Sequence, residues 1–302
     1  MGLADLTLYR LAKNWPSPMA KLTQKLAAEP GTDAYAMAYA QHQFNIKVRK
    51  GMLVEPFDKD VLEIGCGHGG ISCFIASVGA RSVTGIDLNT KHLGYAVRFS
   101  QQMAEKFTPQ RPLSVRFLEM SADRLAFANE TFDLILADNV FEHFTDYQAV
   151  LTETYRTLRP GGQLLIPVFS SIYSKWGLHL KHGLKLPWAN LFFSEKTIIA
   201  AMQRLARDNP QLLELYPGLS GAPERVRDLR RYKDLNDITY ASFRRDAAAL
   251  GFQIEWFRPV PTRVGHLLYR IPGVRRSFAM DIFSKGAAAL LRKPAGLEKH
   301  AP

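Results

Sequence analysis

At 302 residues, with 47% hydrophobic and 22% charged side chains, the chain can bury a large core, and one α/β domain with substantial additions is the expected organisation. No run of about 18 apolar residues occurs, and the first ten residues lack the basic-then-apolar layout of a signal peptide, so a cytoplasmic protein without a membrane span is expected. The net charge of +11 is uneven: residues 1–169 hold 17 basic and 17 acidic side chains, residues 170–302 hold 22 and 11, so the whole excess lies in the second part, which favours anionic partners.

Residues 1–57 read as helical, with apolar stretches at 8–11, 22–28 and 34–40 broken by Pro16, Pro18 and Pro30-Gly31. Such a segment packs on a sheet edge or folds over a ligand; packing is favoured, and Tyr39, His42 and Phe44 are the side chains suited to the second role. A short apolar strand at 61–64 then runs into Gly65-Cys66-Gly67-His68-Gly69-Gly70. Glycines here let the backbone turn with positive φ and bring its amides to a ligand, and the next helix, 71–78, aims its N-terminus at the same place. Gly65, Gly67 and Gly70 also satisfy the dinucleotide pattern G-x-G-x-x-G. Glu63 separates the two readings: a carboxylate at the exposed end of the strand repels a pyrophosphate and attracts an ammonium. S-adenosylmethionine carries an ammonium and no phosphate. The two cysteines, Cys66 and Cys73, flank the turn; they are too few for a disulfide framework or a metal site, so they read as core or pocket lining and no metal is expected.

A strand at 81–87 ends in Asp87, about 20 residues beyond the glycines, where a ribose is met. A carboxylate there accepts from both ribose hydroxyls and excludes a 2′-phosphate. Residues 91–107 have helical spacing, 109–112 a turn and 115–120 a third strand, closed by Ser121-Ala122-Asp123. Asp123 is placed to accept from an adenine amino group, or else to cap a surface helix. A fourth strand, 132–137, delivers Asp138, Asn139, Glu142 and His143 to the same sheet edge. An amphipathic helix at 147–158 is stopped by Arg159-Pro160-Gly161-Gly162, and 163–168 is a fifth strand.

The order Glu63-x-Gly65-x-Gly67-x-Gly69, Asp87, Asp123, the 138–143 cluster and Leu158-Arg159-Pro160-Gly161-Gly162 before a strand resembles the class I S-adenosylmethionine-dependent methyltransferases. It is most similar to the type 11-like group that includes quinone-biosynthesis C-methyltransferases. The resemblance covers residues 58–170 and implies a Rossmann-like α/β fold: a seven-stranded sheet with helices on both faces and its last strand antiparallel. Candidates for the last two strands are 252–257 and 287–292, joined by a connection, 261–285, much longer than a hairpin. Residues 1–57 then form an N-terminal helical segment and 171–302 the acceptor-side insertions and final strands. The implied cofactor is S-adenosyl-L-methionine. Glu63, Gly65, Gly67 and Gly69 would hold its methionine moiety, Asp87 the ribose, Asp123 the adenine, and Asn139 would lie near the transferable methyl; Cys66, Leu88 and Ala122 complete the set.

Residues 170–194 mix aromatics with His179, His182 and three lysines, and a loop there overhangs the donor, so aromatic walls and imidazoles would face the acceptor; for any single aromatic the favoured reading is the local core of an added helical layer. Ser194 caps a helix through 205, and 235–250 reads as another, ended by Gly251. Arg225, Arg227, Arg230, Arg231 and Lys233 crowd one segment. Residues 264–283 interleave arginines with Leu267, Leu268, Tyr269, Ile271, Phe278 and Ile282, a composition suited to a helix pair on an anionic membrane at the inner face, or to a lid.

The expected activity is methyl transfer to a small-molecule, glycan or lipid-linked acceptor, anionic in character, with O-methylation favoured. His143, beside Glu142, is the first candidate for a general base, with His179 and His182 as alternatives. The competing readings are a basic RNA- or membrane-surface-binding protein that keeps the fold, and an NAD-dependent oxidoreductase, which Glu63 opposes. Nucleic acid is not an expected partner, because no RNA-binding module is recognisable.

Overall fold

The structure, a computed structural model, describes residues 3–14, 24–28, 32–106, 113–216, 235–271, 273–274 and 277–295. Helices α1 (Leu3–Asn14) and α2 (Asp33–Lys50) precede β1 (Asp60–Ile64), α3 (Gly70–Ser77), β2 (Ser82–Asp87), α4 (Thr90–Lys106), β3 (Val115–Glu119), β4 (Phe132–Ala137), α5 (Tyr147–Thr157) and β5 (Leu158–Phe169). There follow α6 (Ala189–Phe192), α7 (Glu195–Asp208), α8 (Gln211–Leu215), α9 (Tyr240–Ala249), β6 (Gln253–Pro261), α10 (Arg263–Leu268), α11 (Ala279–Ile282) and β7 (Ser284–Arg292).

The seven strands form one sheet in the order β3-β2-β1-β4-β5-β7-β6. Neighbours are parallel except around β7, which runs antiparallel between β5 and β6. The expected Rossmann-like α/β fold with an antiparallel last strand is therefore observed. Strand order reverses between β1 and β4, and that switch opens a crevice at the carboxyl ends of the strands. Central β1 and β4 are buried on both faces, which is why, apart from Asp60, Glu63 and Asp133, they read as apolar runs. Leu62, Ile64, Ile135, Ala137, Leu164 and Ile166 face α5 and α9, whereas Val61, Leu134, Leu136 and Leu165 face Phe44 of α2, Phe74 of α3 and Phe99 of α4.

Strands β5, β6 and β7 have boundaries that differ from the sequence reading. β5 starts at Leu158, not at residue 163, because Arg159-Pro160-Gly161-Gly162 bulges within the strand: the register shifts between Phe132 and Leu134, and the Gly161 amide donates to the Lys293 carbonyl at 2.8 Å. β6 runs on to Pro261 and β7 begins at Ser284, so their connection is shorter than expected and holds α10 and α11. At the amino ends of the strands Arg159 bridges Asp60 (3.0 Å) and Asp133 (2.7 Å), tying β1, β4 and β5 far from the crevice.

A third apolar cluster lies apart from the sheet. Leu8 and Ala12 of α1 pack with Leu178, Leu184, Ile198, Met202 and Tyr216, and at its rim Tyr9 and Lys13 hydrogen-bond Asp208. The amino-terminal helices thus divide: α1 joins the layer built from 178–216, and α2 packs on the sheet. The arginine-rich run at 225–233, together with Arg275, Arg276 and residues 15–23 and 107–112, lies outside the described residues. Among the described residues no helix is long and apolar enough to cross a membrane.

Candidate active site

The carboxyl ends of β1, β2, β3, β4 and β5 bring the glycine turn, Asp87, residues 121–123, the 138–143 turn and Ser170 to one edge. Gly65 has φ +68°, and a Cβ there would stand 2.7 Å from Val140 Cγ2, so only glycine allows β1 and the post-β4 turn to meet. Gly69, at φ +77°, is the N-cap of α3 and packs against Ala96 and Phe117; it shapes the turn without lining a cavity. The Asp87 carboxylate accepts from the Gly67 amide (2.9 Å) and the Asn89 amide (2.8 Å), which locks the glycine turn to β2.

Two cavities open from this edge. A cleft of about 1530 Å³ is bordered by Glu63, Gly65, Cys66, Gly67, Asp87, Leu88, Asp138, Asn139, His143, His179, Lys181 and His182. A smaller pocket of about 190 Å³ adjoins it, walled by Ile86, Met120, Ala122, Val150 and the exposed Asp123, whose carboxylate accepts from Ser121 Oγ at 2.6 Å. Gly65, Asp87, Leu88, Val140, His143 and Thr145 border both. Of the expected site residues only Gly69 borders neither. Cys66 borders the cleft, and Cys73 lies in the sheet core.

Glu63 is not at an exposed strand end. It is 2% exposed, because α2 and α3 cover β1, and it accepts a hydrogen bond from the Ser72 hydroxyl. Burial pushes its carboxyl up to about 8 against the opposing effect of that bond, so without a ligand it is largely protonated at neutral pH. Burial also raises Asp138, whose carboxylate is 3.6 Å from Lys47 Nζ. Asn139 holds φ +59°, a conformation that asparagine tolerates, and its amide donates to the Val168 carbonyl at 2.8 Å. The His68 ring lies 4.6 Å from that of His92 and 5.4 Å from that of Tyr95, and burial lowers it to about 4.

Sequence reasoning missed most of α2. Tyr39 borders the cleft, as anticipated, but His42 does not, and Phe44 is in the sheet core. Tyr35, Tyr39 and Gln43 line the cleft and Lys47 pairs with Asp138. They recur every fourth residue, a stripe on one helical face that could have revealed them.

At the other end of the cleft, the turn Phe141–His143 buries Phe141 in the core and presents His143 to the cavity. Glu142 is 2% exposed, and neither carboxylate oxygen has a hydrogen-bond partner among the described residues; its Oε1 lies 3.5 Å from His179 Nε2. Burial raises this carboxyl to about 7 and lowers the Lys181 amine, an effect Glu142 opposes. The His143 and His179 rings meet edge to face at 4.8 Å, and His179 holds φ +54°. Ligand atoms of Glu142, His143 and His179 all lie within 4.8 Å, a grouping that could also hold a cation. Asn236, which the sequence did not mark, clamps the turn: its Nδ2 donates to the carbonyls of Phe141 and Phe144, both at 2.8 Å, and its amide to that of Glu142 at 2.9 Å. The aromatic wall expected from 170–194 is absent from the cleft: Tyr173 packs on Phe278, and Trp188 donates to the Ile282 carbonyl at 2.8 Å. Within that segment the polar His179, Lys181 and His182 are what reach the cavity.

Residues 62–166, the span holding all these strand-end acids and the glycine turn, match a family model described as a methyltransferase domain. Over that span the chain is similar to a methyltransferase domain. The ubiquinone biosynthesis O-methyltransferase of Bartonella tribocorum is 30% identical to it over 170 residues, covering 56% of this chain and 64% of that protein. For the enzyme of the same name from Rhizobium rhizogenes the identity is 31% over 156 residues, 52% of this chain and 58% of the other. The chain thus spans less than two thirds of these relatives. A solved S-adenosylmethionine-dependent methyltransferase from Mesorhizobium loti is 16% identical, with a TM-score of 0.49 over 82% of this chain and 97% of that one.

Proposed function

We propose that the protein uses S-adenosyl-L-methionine to methylate an oxygen of a small, anionic, hydroxylated acceptor. The observation that carries this reading is the polarity of one continuous cleft: Glu63, Asp87 and Asp138 surround the glycine turn at one end, and His143, His179, Lys181 and His182 border the other. Asp87 and Asp138, joined by Glu63 once an ammonium draws off its proton, favour an ammonium and ribose hydroxyls over the pyrophosphate of a dinucleotide, which weighs against the oxidoreductase alternative. The apolar pocket beside Leu88, with Asp123 at its rim, has the chemistry to take an adenine. The relatives are named for O-methylation in ubiquinone biosynthesis, which favours a small molecule over a glycan.

S-adenosyl-L-methionine supplies an electrophilic methyl on a sulfonium, which leaves to an in-line nucleophile while the bonding electron pair returns to sulfur. Glu63, held protonated by burial, gives up its proton when an ammonium comes to face it, and Asp87 receives the ribose hydroxyls. Asn139 sits at the junction of the two ends. An imidazole, His143 first because it borders both cavities, accepts the acceptor hydroxyl's proton as the new O–C bond forms. His179, beside the buried Glu142, is the alternative base, and a carboxylate there would stabilise the imidazolium formed.

Thermal-shift titration tests this. S-adenosylhomocysteine at about 100 times its Kd is expected to add about 2.7 kcal/mol to stability, several degrees in Tm, while NAD adds nothing. Asp87→Ala is expected to remove the shift. Stabilisation by NAD and not by S-adenosylhomocysteine would overturn the reading.

A further inference from the structure

The connection between β6 and β7 is not used by the chemistry above, and we infer that it docks the protein on an anionic lipid bilayer. From Trp256 to Met280 the sequence carries five arginines and no acidic residue. The next acid, Asp281, is buried and accepts from the Tyr240 amide at 2.9 Å, so it does not offset them at the surface. Helix α10 packs inward through Gly265, where a Cβ would stand 2.2 Å from the Phe283 carbonyl oxygen. The opposite side therefore faces out, leaving Val264 54% and Leu267 68% exposed. Farther along the same connection Ile271 and Phe278 are 49% and 50% exposed, and Arg258, Arg263 and Arg270, which are interleaved with these side chains in the sequence, are exposed too.

Isolated exposed apolar side chains need no explanation, but this set is interleaved with cations and free of acids, which is the pattern a charged lipid interface selects. Apolar tips enter the boundary of the acyl chains while guanidinium groups meet phosphates. The surface is braced on the segment that furnishes the basic end of the cleft. Phe278 meets the Tyr173 ring at 5.0 Å, Trp188 donates to the Ile282 carbonyl, and His179, Lys181 and His182 lie between those two aromatics in the chain. Docking here holds that end of the cleft close to the bilayer. The inference does not depend on the methyltransferase reading, because its readout is binding alone.

Flotation of the full chain with vesicles of phosphatidylcholine, with and without phosphatidylglycerol, tests it. The protein is expected to float with the anionic vesicles, not with the neutral ones, and less as salt rises. Leu267→Glu combined with Phe278→Glu is expected to weaken vesicle binding at least tenfold. Arg270→Glu is expected to weaken it by about fivefold or more, while Lys50→Glu, an equal charge change at the exposed end of α2, leaves it unchanged. All these side chains are exposed, so an unaltered Tm confirms that the variants fold. Failure to float with anionic vesicles, equal loss in Arg270→Glu and Lys50→Glu, or retention of RNA on filters at physiological salt in place of flotation would overturn the assignment.

Discussion

The two ends of the cleft are built in different ways. Around the glycine turn, the side chains come from strand ends and tight turns between Glu63 and Asn139, and backbone geometry places them: Asp87 is held by two amides, and Gly65 by the close approach of Val140. At the basic end Glu142 and His143 are met by His179 from the segment after β5, and the turn that carries them is clamped by Asn236 from before α9. One end is assembled from strand ends and the turns that follow them, with α2 laid over it; at the other, the segment after β5 and Asn236 pack against the 141–144 turn. The first is acidic and its key carboxyl is satisfied by Ser72, whereas the second holds the buried Glu142 carboxyl, which lies 3.5 Å from His179 Nε2.

Variants that affect one end and spare the other separate the two. The largest effect is expected at the basic end. Replacing the imidazole that serves as base by alanine should lower kcat by about 10²–10⁴ and remove the rise of rate with pH, while the Kd for S-adenosylhomocysteine stays unchanged. His143→Ala and His179→Ala, compared by single-turnover kinetics, identify which ring it is; a loss of donor affinity in both would erase the division.

Next in size is Glu63→Gln. The folded-state carboxyl is raised from 4.5 to about 8, so its contribution to stability is fully present below pH 4.5 and is lost as pH rises through about 8. The ligand-free Gln variant should match the parent near pH 4 and exceed it at pH 8 by a few kcal/mol in urea denaturation. It should also bind donor more weakly and lose the proton release that calorimetry in different buffers would detect for the parent. A parent no less stable than the variant at pH 8 would refute the buried, protonated acid.

The smallest effect is expected for Asn236→Ala. Loss of the two side-chain hydrogen bonds to the 141–144 turn should lower stability by about 1–3 kcal/mol and lower kcat, leaving donor affinity within twofold. An equal effect on donor binding would mean that the two ends move as one.

This division also accounts for what could be read in the sequence. The strands β1, β2 and β4, the glycine turn and Asp87 follow from apolar runs, glycine spacing and an acid at a strand end, all properties of adjacent residues. The burial of Glu63 could not be read, because it depends on α2 covering β1. Aromatics at 173–188 have the composition of a ligand wall, yet they pack on Phe278 and the Ile282 carbonyl, contacts about a hundred residues away along the chain. Asn236 looked like an ordinary polar residue ahead of a helix. Its importance comes from two carbonyls some ninety residues earlier, and no local period encodes that.

The cluster that joins α1 to α7 sets an order of events during synthesis. Leu8 and Ala12 are made early, but Ile198, Met202 and Leu205, against which they pack, are made about 190 residues later. At roughly 5–20 residues per second, the apolar side of α1 waits on the order of ten seconds or more for its partner to leave the ribosome. During that interval it is a natural client for chaperones, and a tag that anchors or shields α1 would delay closure of the layer without touching the sheet.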